Sequence, residues 1–273
     1  TEPGWPDRRW GIPVGFPVNS LVLGDLDMDG RPDVVVGGEG GSLVLENCPD
    51  GFVVRQILEP GPTVGLALGD VDEDGDMDLL EAVQGIGERL YINDGTGNLR
   101  LSYTFGSASA DEIGLTDVDG DGDLDLVELR RFTRCGLAVY TNSGGRFSEF
   151  QELKLLASKG SDFSEHLRLR SGDVDHDADN DLVIGKQTAG EPFKRYLEDF
   201  TILVCANSGG TFELRLWYSE HGVNAVALAD VDVDGDLDLV AGTDLGNWVY
   251  TNMESECNGN PNPSPHEEPV PLG

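Results

Sequence analysis

The chain has 273 residues, 38% of them hydrophobic and 7% aromatic, with 18 basic against 51 acidic side chains and a formal net charge of −33. A surface so negative repels a phosphate backbone and argues against nucleic-acid binding. No apolar run reaches the length of a membrane-spanning helix.

The first distinctive element in chain order is Asp25-Leu26-Asp27-Met28-Asp29-Gly30-Arg31-Pro32-Asp33. Its aspartates fall at positions 1, 3, 5 and 9 of a loop, with glycine at position 6. That spacing can wrap carboxylate oxygens around one hard cation, while the glycine supplies the sharp turn. Without a cation the loop is unfavourable, because two unit charges 4 Å apart repel by about 4 kcal/mol at an effective dielectric of 20. Calcium suits it best, since it accepts many flexible oxygen ligands and no Cys or His is at hand to favour zinc. Leu21–Gly24 leads into this loop and Asp33–Val36 leaves it, both of strand type. Ser42–Glu46 and Phe52–Ile57 follow around an Asn47…Gly51 turn, giving a first unit over residues 19–58.

The pattern returns four times, with loops beginning at Asp70, Asp117, Asp173 and Asp230. The second unit (64–105) has Asp70, Asp72, Asp74 and Asp78 in the loop, and strands Leu66–Gly69, Asp78–Ala82, Arg89–Ile92 and Leu99–Thr104. The third (111–156) has Asp117, Asp119, Asp121 and Asp125, and strands Ile113–Thr116, Asp125–Glu128, Leu137–Thr141 and Phe147–Leu153. The fourth (166–218) has Asp173, Asp175, Asp177 and Asp181, and strands Leu169–Gly172, Asp181–Ile184, Ile202–Ala206 and Phe212–Trp217. Ala178 replaces the glycine there, at a cost of about 1–2 kcal/mol if the position is left-handed. The fifth (224–252) has Asp230, Asp232, Asp234 and Asp238, but only three strands: Val226–Ala229, Asp238–Ala241 and Asn247–Thr251. Position 12, which in an EF-hand is a bidentate Glu, is Val36, Glu81, Glu128, Ile184 and Ala241, so the metal clips two strands and opens no helix.

A period of this size, with four short strands per unit, predicts an all-β fold: a five-bladed β-propeller of four-stranded antiparallel blades with a Ca2+ loop in each, over residues 10–252. The missing outer strand of the fifth blade is expected from Trp10–Val18, whose Pro13 and Pro17 are tolerable on an edge strand, closing the ring. Residues 253–273 read as a Pro-rich tail or linker. A Cys48–Cys257 bridge is expected to reinforce that seam, and Cys205 to be a packed core thiol.

The repeat, apolar–Gly-Asp-x-Asp-x-Asp-Gly-x-x-Asp–apolar, resembles the FG-GAP/VCBS family of calcium-loop propellers, which includes the integrin α-subunit head. The resemblance spans roughly residues 10–252 and implies up to five bound Ca2+ ions. By position in such loops, Arg31, Asp76, Asp123, Asp179 and Asp236 would each contribute a backbone carbonyl. It also implies a ligand face away from the metal loops. Sites of ordinary affinity fill only where calcium is plentiful, so a secreted or cell-surface, extracytoplasmic location is expected, with any signal peptide lying before Thr1.

Half of the basic residues gather in blades 3 and 4 and the segments around them. Arg130, Arg134, His166, Arg168, Arg170, Lys186, Lys194, Arg195 and Tyr196 are the candidate ligand-binding residues, for an anionic glycan or a carboxylate on a protein partner. The alternative is local ion pairing with acids such as Glu112 and Glu128. Arg168 and Arg170 stand where the other inner strands have Ser20, Gly65, Glu112 and Ala225, and Val22, Ala67, Gly114 and Ala227, so each should face the channel mouth or pair with a neighbouring acid such as Glu128. The leading reading is a binding or adhesion module, without membrane insertion. A lyase-like, polysaccharide-active enzyme using His166 or Tyr196, and a structural subunit of an extracellular assembly, are the alternatives.

Overall fold

The computed structural model describes residues 11–106, 110–130, 136–154, 167–186, 202–217, 223–243, 246–251 and 270–271. Two compact units divide the chain, Thr1–Ala110 and Asp111–Gly273. Every described sheet is a four-stranded antiparallel blade of propeller type, its strands in sequence order.

The first unit holds two blades. Blade 1 comprises β1 (Val18–Gly24), β2 (Asp33–Gly38), β3 (Gly41–Cys48) and β4 (Gly51–Ile57). Blade 2 comprises β5 (Thr63–Gly69), β6 (Asp78–Val83), β7 (Gly87–Ile92) and β8 (Arg100–Phe105). The middle strands are short apolar runs buried on both faces, as in β6, where all six residues are buried. Outer strands meet solvent, and β4 leaves Val53, Val54 and Ile57 exposed. Val35, Val44, Leu66, Leu79 and Tyr91 form one core between the two blades, and Leu26 reaches into it from the first acidic loop. The first three loops therefore contribute to the core, because their second residue, Leu26, Val71 or Val118, is a buried apolar plug.

The second unit holds three blades. Blade 3 comprises β9 (Ala110–Thr116), β10 (Asp125–Arg130), β11 (Gly136–Thr141) and β12 (Ser148–Lys154). Blade 4 comprises β13 (Leu167–Gly172), β14 (Asp181–Lys186), β15 (Ile202–Ser208) and β16 (Thr211–Trp217). Blade 5 comprises β17 (Val223–Ala229), β18 (Asp238–Thr243), β19 (Gly246–Tyr250) and β20 (Val270–Pro271). Val118, Val127, Leu137, Leu169, Leu182 and Cys205 share one core, and Val183, Ile202, Val226 and Leu239 another. Cys205 is fully buried opposite Leu182, the register position that holds Tyr91 opposite Leu79 and Tyr140 opposite Leu126.

The chain ends depart from the sequence expectation. The fourth strand of blade 5 is Val270–Pro271, with Val249 opposite Val270 and Trp248 opposite Pro271. Residues 11–17 form no strand, Val18 opens β1, and Trp10 lies outside the described residues. Ile12, Val14 and Phe16 instead pack on the Val36, Leu43 and Leu45 cluster of blade 1. The reason is local. Pro13 and Pro17 have no N–H to give a ladder, whereas the alternating apolar side chains find a ready cleft. Gly40 makes the room, since a Cβ there would lie 2.5 Å from the Phe16 ring. The outer edge of blade 5 accepts Pro271 because an edge strand needs no outward N–H. The predicted disulfide loses its rationale with that seam. Cys48 is a free thiol, donating to Glu46 Oε1 at 3.5 Å, and Cys257 lies outside the described residues.

Candidate metal centres and a basic cluster

All five acidic loops are built to one plan, between the first and second strands of each blade. The position-1 aspartate folds the loop around itself. Asp70 accepts from the Asp74 and Gly75 backbone N–H at 3.1 and 3.0 Å, and Asp230 does the same with Asp234 and Gly235. The position-5 aspartate accepts from the backbone N–H of position 7, as Asp74 does from Asp76 at 3.2 Å. The backbone must turn left-handed twice. Gly30, Gly75, Gly122 and Gly235 take positive φ at position 6, and Ala178 takes φ 74° where glycine is missing, as its substitution in the sequence implies. Position 4 is left-handed too, at Met28, Glu73, Gly120, His176 and Val233. Little in the sequence marks that second strained position, and a β-branched Val233 at φ 66° is a true outlier.

The position-9 aspartate is a different kind of group. Asp33, Asp78, Asp125, Asp181 and Asp238 are at most 3% exposed, and each opens a second strand. In the first four blades one oxygen accepts from the position-2 backbone N–H, and the other from an asparagine just after the third strand or at its end. For Asp125 these bonds are Val118 at 2.9 Å and Asn142 at 2.7 Å. For Asp181 they are Val174 at 2.9 Å and Asn207 at 2.7 Å. Burial nevertheless dominates, and pushes the carboxyls of Asp78 and Asp125 up to about 6. Asp72, Asp76 and Asp119 are also raised, by burial first and then by the neighbouring loop carboxylates.

The asparagines tie the loops together in a way that turn chemistry alone does not reveal. Asn93 Nδ2 donates to Leu26 O in the neighbouring loop at 2.8 Å and to Met77 O at 3.1 Å. Asn207 repeats this with Val118 O at 2.7 Å and Asn180 O at 3.1 Å. Each ties one blade's loop to the next. Their recurrence at one place in all five repeats (Asn47, Asn93, Asn142, Asn207, Asn252) is the signal that exposes them.

The donor set fits a hard cation. In each blade three carboxylate oxygens lie within 4.8 Å of one another: Asp25, Asp27 and Asp29; Asp70, Asp72 and Asp78; Asp117, Asp119 and Asp125; Asp173, Asp175 and Asp181; Asp230, Asp232 and Asp234. Oδ1 of Asp27, Asp72, Asp76 and Asp173 is buried with no hydrogen-bond donor. A buried carboxylate oxygen without a donor is costly, and a metal ion is the natural partner for it. His176 stands inside the fourth loop but points to the fifth, with Nε2 2.8 Å from Asp236 Oδ1.

Of the basic cluster, Arg130, Arg168 and Arg170 have described side chains. Arg168 and Arg170 both lie on β13, and both pair with Glu112 on β9, at 3.9 and 3.5 Å. The partner is therefore Glu112 and not Glu128. Glu128 instead binds Arg130 at 3.0 Å, with Tyr140 beside it. Arg130 itself is only 7% exposed, so the structure turns it into blade 3 and away from any ligand. Arg168 and Arg170 remain 40% and 47% exposed at their side chains. Burial raises the Glu112 carboxyl, against the pull of the Leu169 backbone N–H and the two guanidiniums. Lys186 ends β14, and Arg134, His166, Lys194, Arg195 and Tyr196 lie outside the described residues.

The model of the FG-GAP-like repeat matches residues 25–81 and 117–184, which take in the acidic loops of blades 1 to 4. This chain carries FG-GAP-like repeats. Solved structures agree on the propeller fold. A lectin of Agrocybe aegerita, described as recognising non-reducing terminal N-acetylglucosamine, is 20% identical with a TM-score of 0.59 over 88% of this chain and 64% of its own. A protein from Lactobacillus plantarum is 13% identical with a TM-score of 0.53, over 81% of this chain and 67% of its own. BBS1N, solved in complex with ARL6DN, is 14% identical with a TM-score of 0.50, over 80% of this chain and 61% of its own. The FG-GAP-repeat chain thus spans under two thirds of the lectin and of BBS1N. No curated protein gives a significant match to it.

Proposed function

We propose that this FG-GAP-repeat chain is a calcium-loaded binding module that works outside the cytoplasm and takes an anionic glycan or protein carboxylate at the inner edge of blades 3 and 4. The observation that carries the calcium reading is the recurrence, in all five blades, of three converging carboxylates. Buried, donor-less oxygens in four of the loop aspartates add to it. Aspartates at positions 1, 3, 5 and 9, with the carbonyls of Arg31, Asp76, Asp123, Asp179 and Asp236, would form the oxygen shell. The ion would neutralise carboxylates that otherwise repel and hold the two strands flanking each loop. Loops of ordinary affinity fill in calcium-rich surroundings, which supports an extracytoplasmic site of action.

The ligand reading rests on Arg168 and Arg170, two half-exposed guanidiniums on one strand that share a single carboxylate. A ligand carboxylate or sulfate could reach the exposed part of their guanidiniums. A lectin among the structural neighbours makes glycans the first class to screen. Lys186, Lys194, Arg195 and Tyr196 would extend the rim, and Arg130 is excluded by its burial.

The test has two arms. Melting in millimolar calcium should exceed melting in chelator by many degrees, and equal values reject the metal reading. A screen of acidic glycans should find binding that falls about tenfold or more in the Arg168→Gln, Arg170→Gln double variant, since charge-assisted hydrogen bonds contribute about 1.5–3 kcal/mol each. Undiminished binding, with melting unchanged, removes these arginines from the site.

A further inference from the structure

The first loop differs from the other four in its surroundings. Its position 7 is Arg31, where the others have Asp76, Asp123, Asp179 and Asp236. The Arg31 guanidinium turns back onto Asp29 as an ion pair, and its Nε donates to Asn47 O at 2.6 Å. A second cation arrives from the outer strand. The register of β3 against β4 slips between Val44 and Leu45, so that Val44 faces Gln56 and Leu45 faces Val54, and Arg55 bulges out between them. A bulge re-aims the residue it inserts. The corresponding slips fall at Ser102 in blade 2 and Phe150 in blade 3, neither of them charged. Arg55 Nη1 lies 3.6 Å from Asp27 Oδ2 and donates to Glu46 Oε2 at 2.8 Å. Its Nη2 donates to Thr96 O on the neighbouring blade's turn. Asp27 and Arg55 are mostly shielded there, with 15% and 23% of their side chains exposed.

We propose that Arg31 and Arg55 are a built-in counter-charge for the first loop, which makes it the weakest of the five cation sites and the one that keeps its shape without an ion. Two guanidiniums engage two of its three converging carboxylates, so an incoming calcium must displace or repel them. The other loops have an aspartate at position 7, and their carboxylates repel one another until an ion arrives. This inference rests on the calcium reading above, and is tested so that the two can fail separately.

Calcium is titrated into the chelated, full-length chain by calorimetry, with stoichiometry checked by native mass spectrometry. The expected result is several tight sites and one at least tenfold weaker. Asp27→Asn should abolish the weak step alone, and Asp72→Asn, in the second loop, should abolish a tight one. Arg55→Gln and Arg31→Asp should each raise the affinity of the weak step several-fold, with melting in saturating calcium unchanged. Loss of a tight step in Asp27→Asn overturns the proposal without touching the calcium reading, even if the arginine variants fold poorly. A wild-type chain with no weak step does the same. A chain that binds no calcium overturns both.

Discussion

Lowering the pH should erase most of the difference between the calcium-bound and calcium-free protein. Burial pushes Asp78 and Asp125 from 3.8 up to about 6 in the metal-free fold. A tenfold change in a proton-binding constant corresponds to about 1.4 kcal/mol, so each carboxylate costs the empty fold about 3 kcal/mol at pH 7.5. The folded value lies above the unfolded one. The penalty is therefore fully present above about 6, and is relieved as the pH falls through 6 towards 3.8. The chelated protein should gain stability between pH 7.5 and 5. In calcium the trend reverses, because the ion needs ionised ligands and protons compete for them. At pH 7.5 an ion present at 100 times its Kd contributes about 2.7 kcal/mol per site. A domain this large shifts by about 2–4 °C per kcal/mol, so the separation in Tm should exceed about 10 °C at pH 7.5 and fall to less than half at pH 5. Differential scanning fluorimetry in calcium and in chelator, at matched ionic strength, measures it. A separation that stays constant over that range, or a chelated protein that does not gain stability on acidification to pH 5.5, refutes the reasoning.

Three further outcomes follow from the packing. Ala178→Gly should raise stability by about 1 kcal/mol, read as a rise of about 2–4 °C in Tm, because it relieves a left-handed alanine at φ 74°. Asn93→Ala removes two donated and two accepted hydrogen bonds from a side chain that is 3% exposed. Urea unfolding in saturating calcium should show a loss of about 2–4 kcal/mol, and a loss below about 0.5 kcal/mol would mean that the asparagine tie is dispensable. Arg130→Met should cost about 3–5 kcal/mol by leaving the buried Glu128 without its guanidinium. Adding Glu128→Gln in the same chain should restore part of that loss, and a double variant no better than the single one would show that the pair is not the cause.

The blades were legible in the sequence because two independent signals coincide. Each loop fixes where the second strand starts, at Asp33, Asp78, Asp125, Asp181 and Asp238, and the short apolar run after it fixes the buried strand. Strand ends drift by one to three residues, as in β1, which begins at Val18 rather than Leu21. The cause is that hydrogen-bonded pairing outlasts the apolar pattern. The N-terminal stretch misled for a physical reason. An alternating apolar segment shows that something is to be buried, but not on which sheet, and Phe16 finds its place only where Gly38 and Gly40 leave space. The basic residues misled for another. Charge counts along the chain cannot separate a guanidinium that pairs with a buried glutamate, as Arg130 does, from one left half in solvent, as Arg170 is.

The acids divide in the same way, by what surrounds each one. Glu81 sits three residues beyond Asp78 on β6, yet it belongs to a different electrostatic system. It is fully buried and accepts from Ser42 Oγ and Thr63 Oγ1 at 2.6 Å, and from Arg89 and the Tyr91 hydroxyl at 3.2 Å. Its charge is satisfied by the protein itself, so it is a settled part of the blade 1–2 core. Asp72 and Asp76, in the loop that precedes it, each have a buried oxygen with no such donor. The position-12 residue of an EF-hand would serve the ion, whereas here the chain has become a strand by that point, and the glutamate serves the sheet. One strand thus carries a carboxylate whose charge the fold pairs with Arg89 and, at its start, Asp78, which belongs to a group of carboxylates that could hold a cation. That contrast, between an acid supplied with donors and loop oxygens left without them, supports the proposed cation.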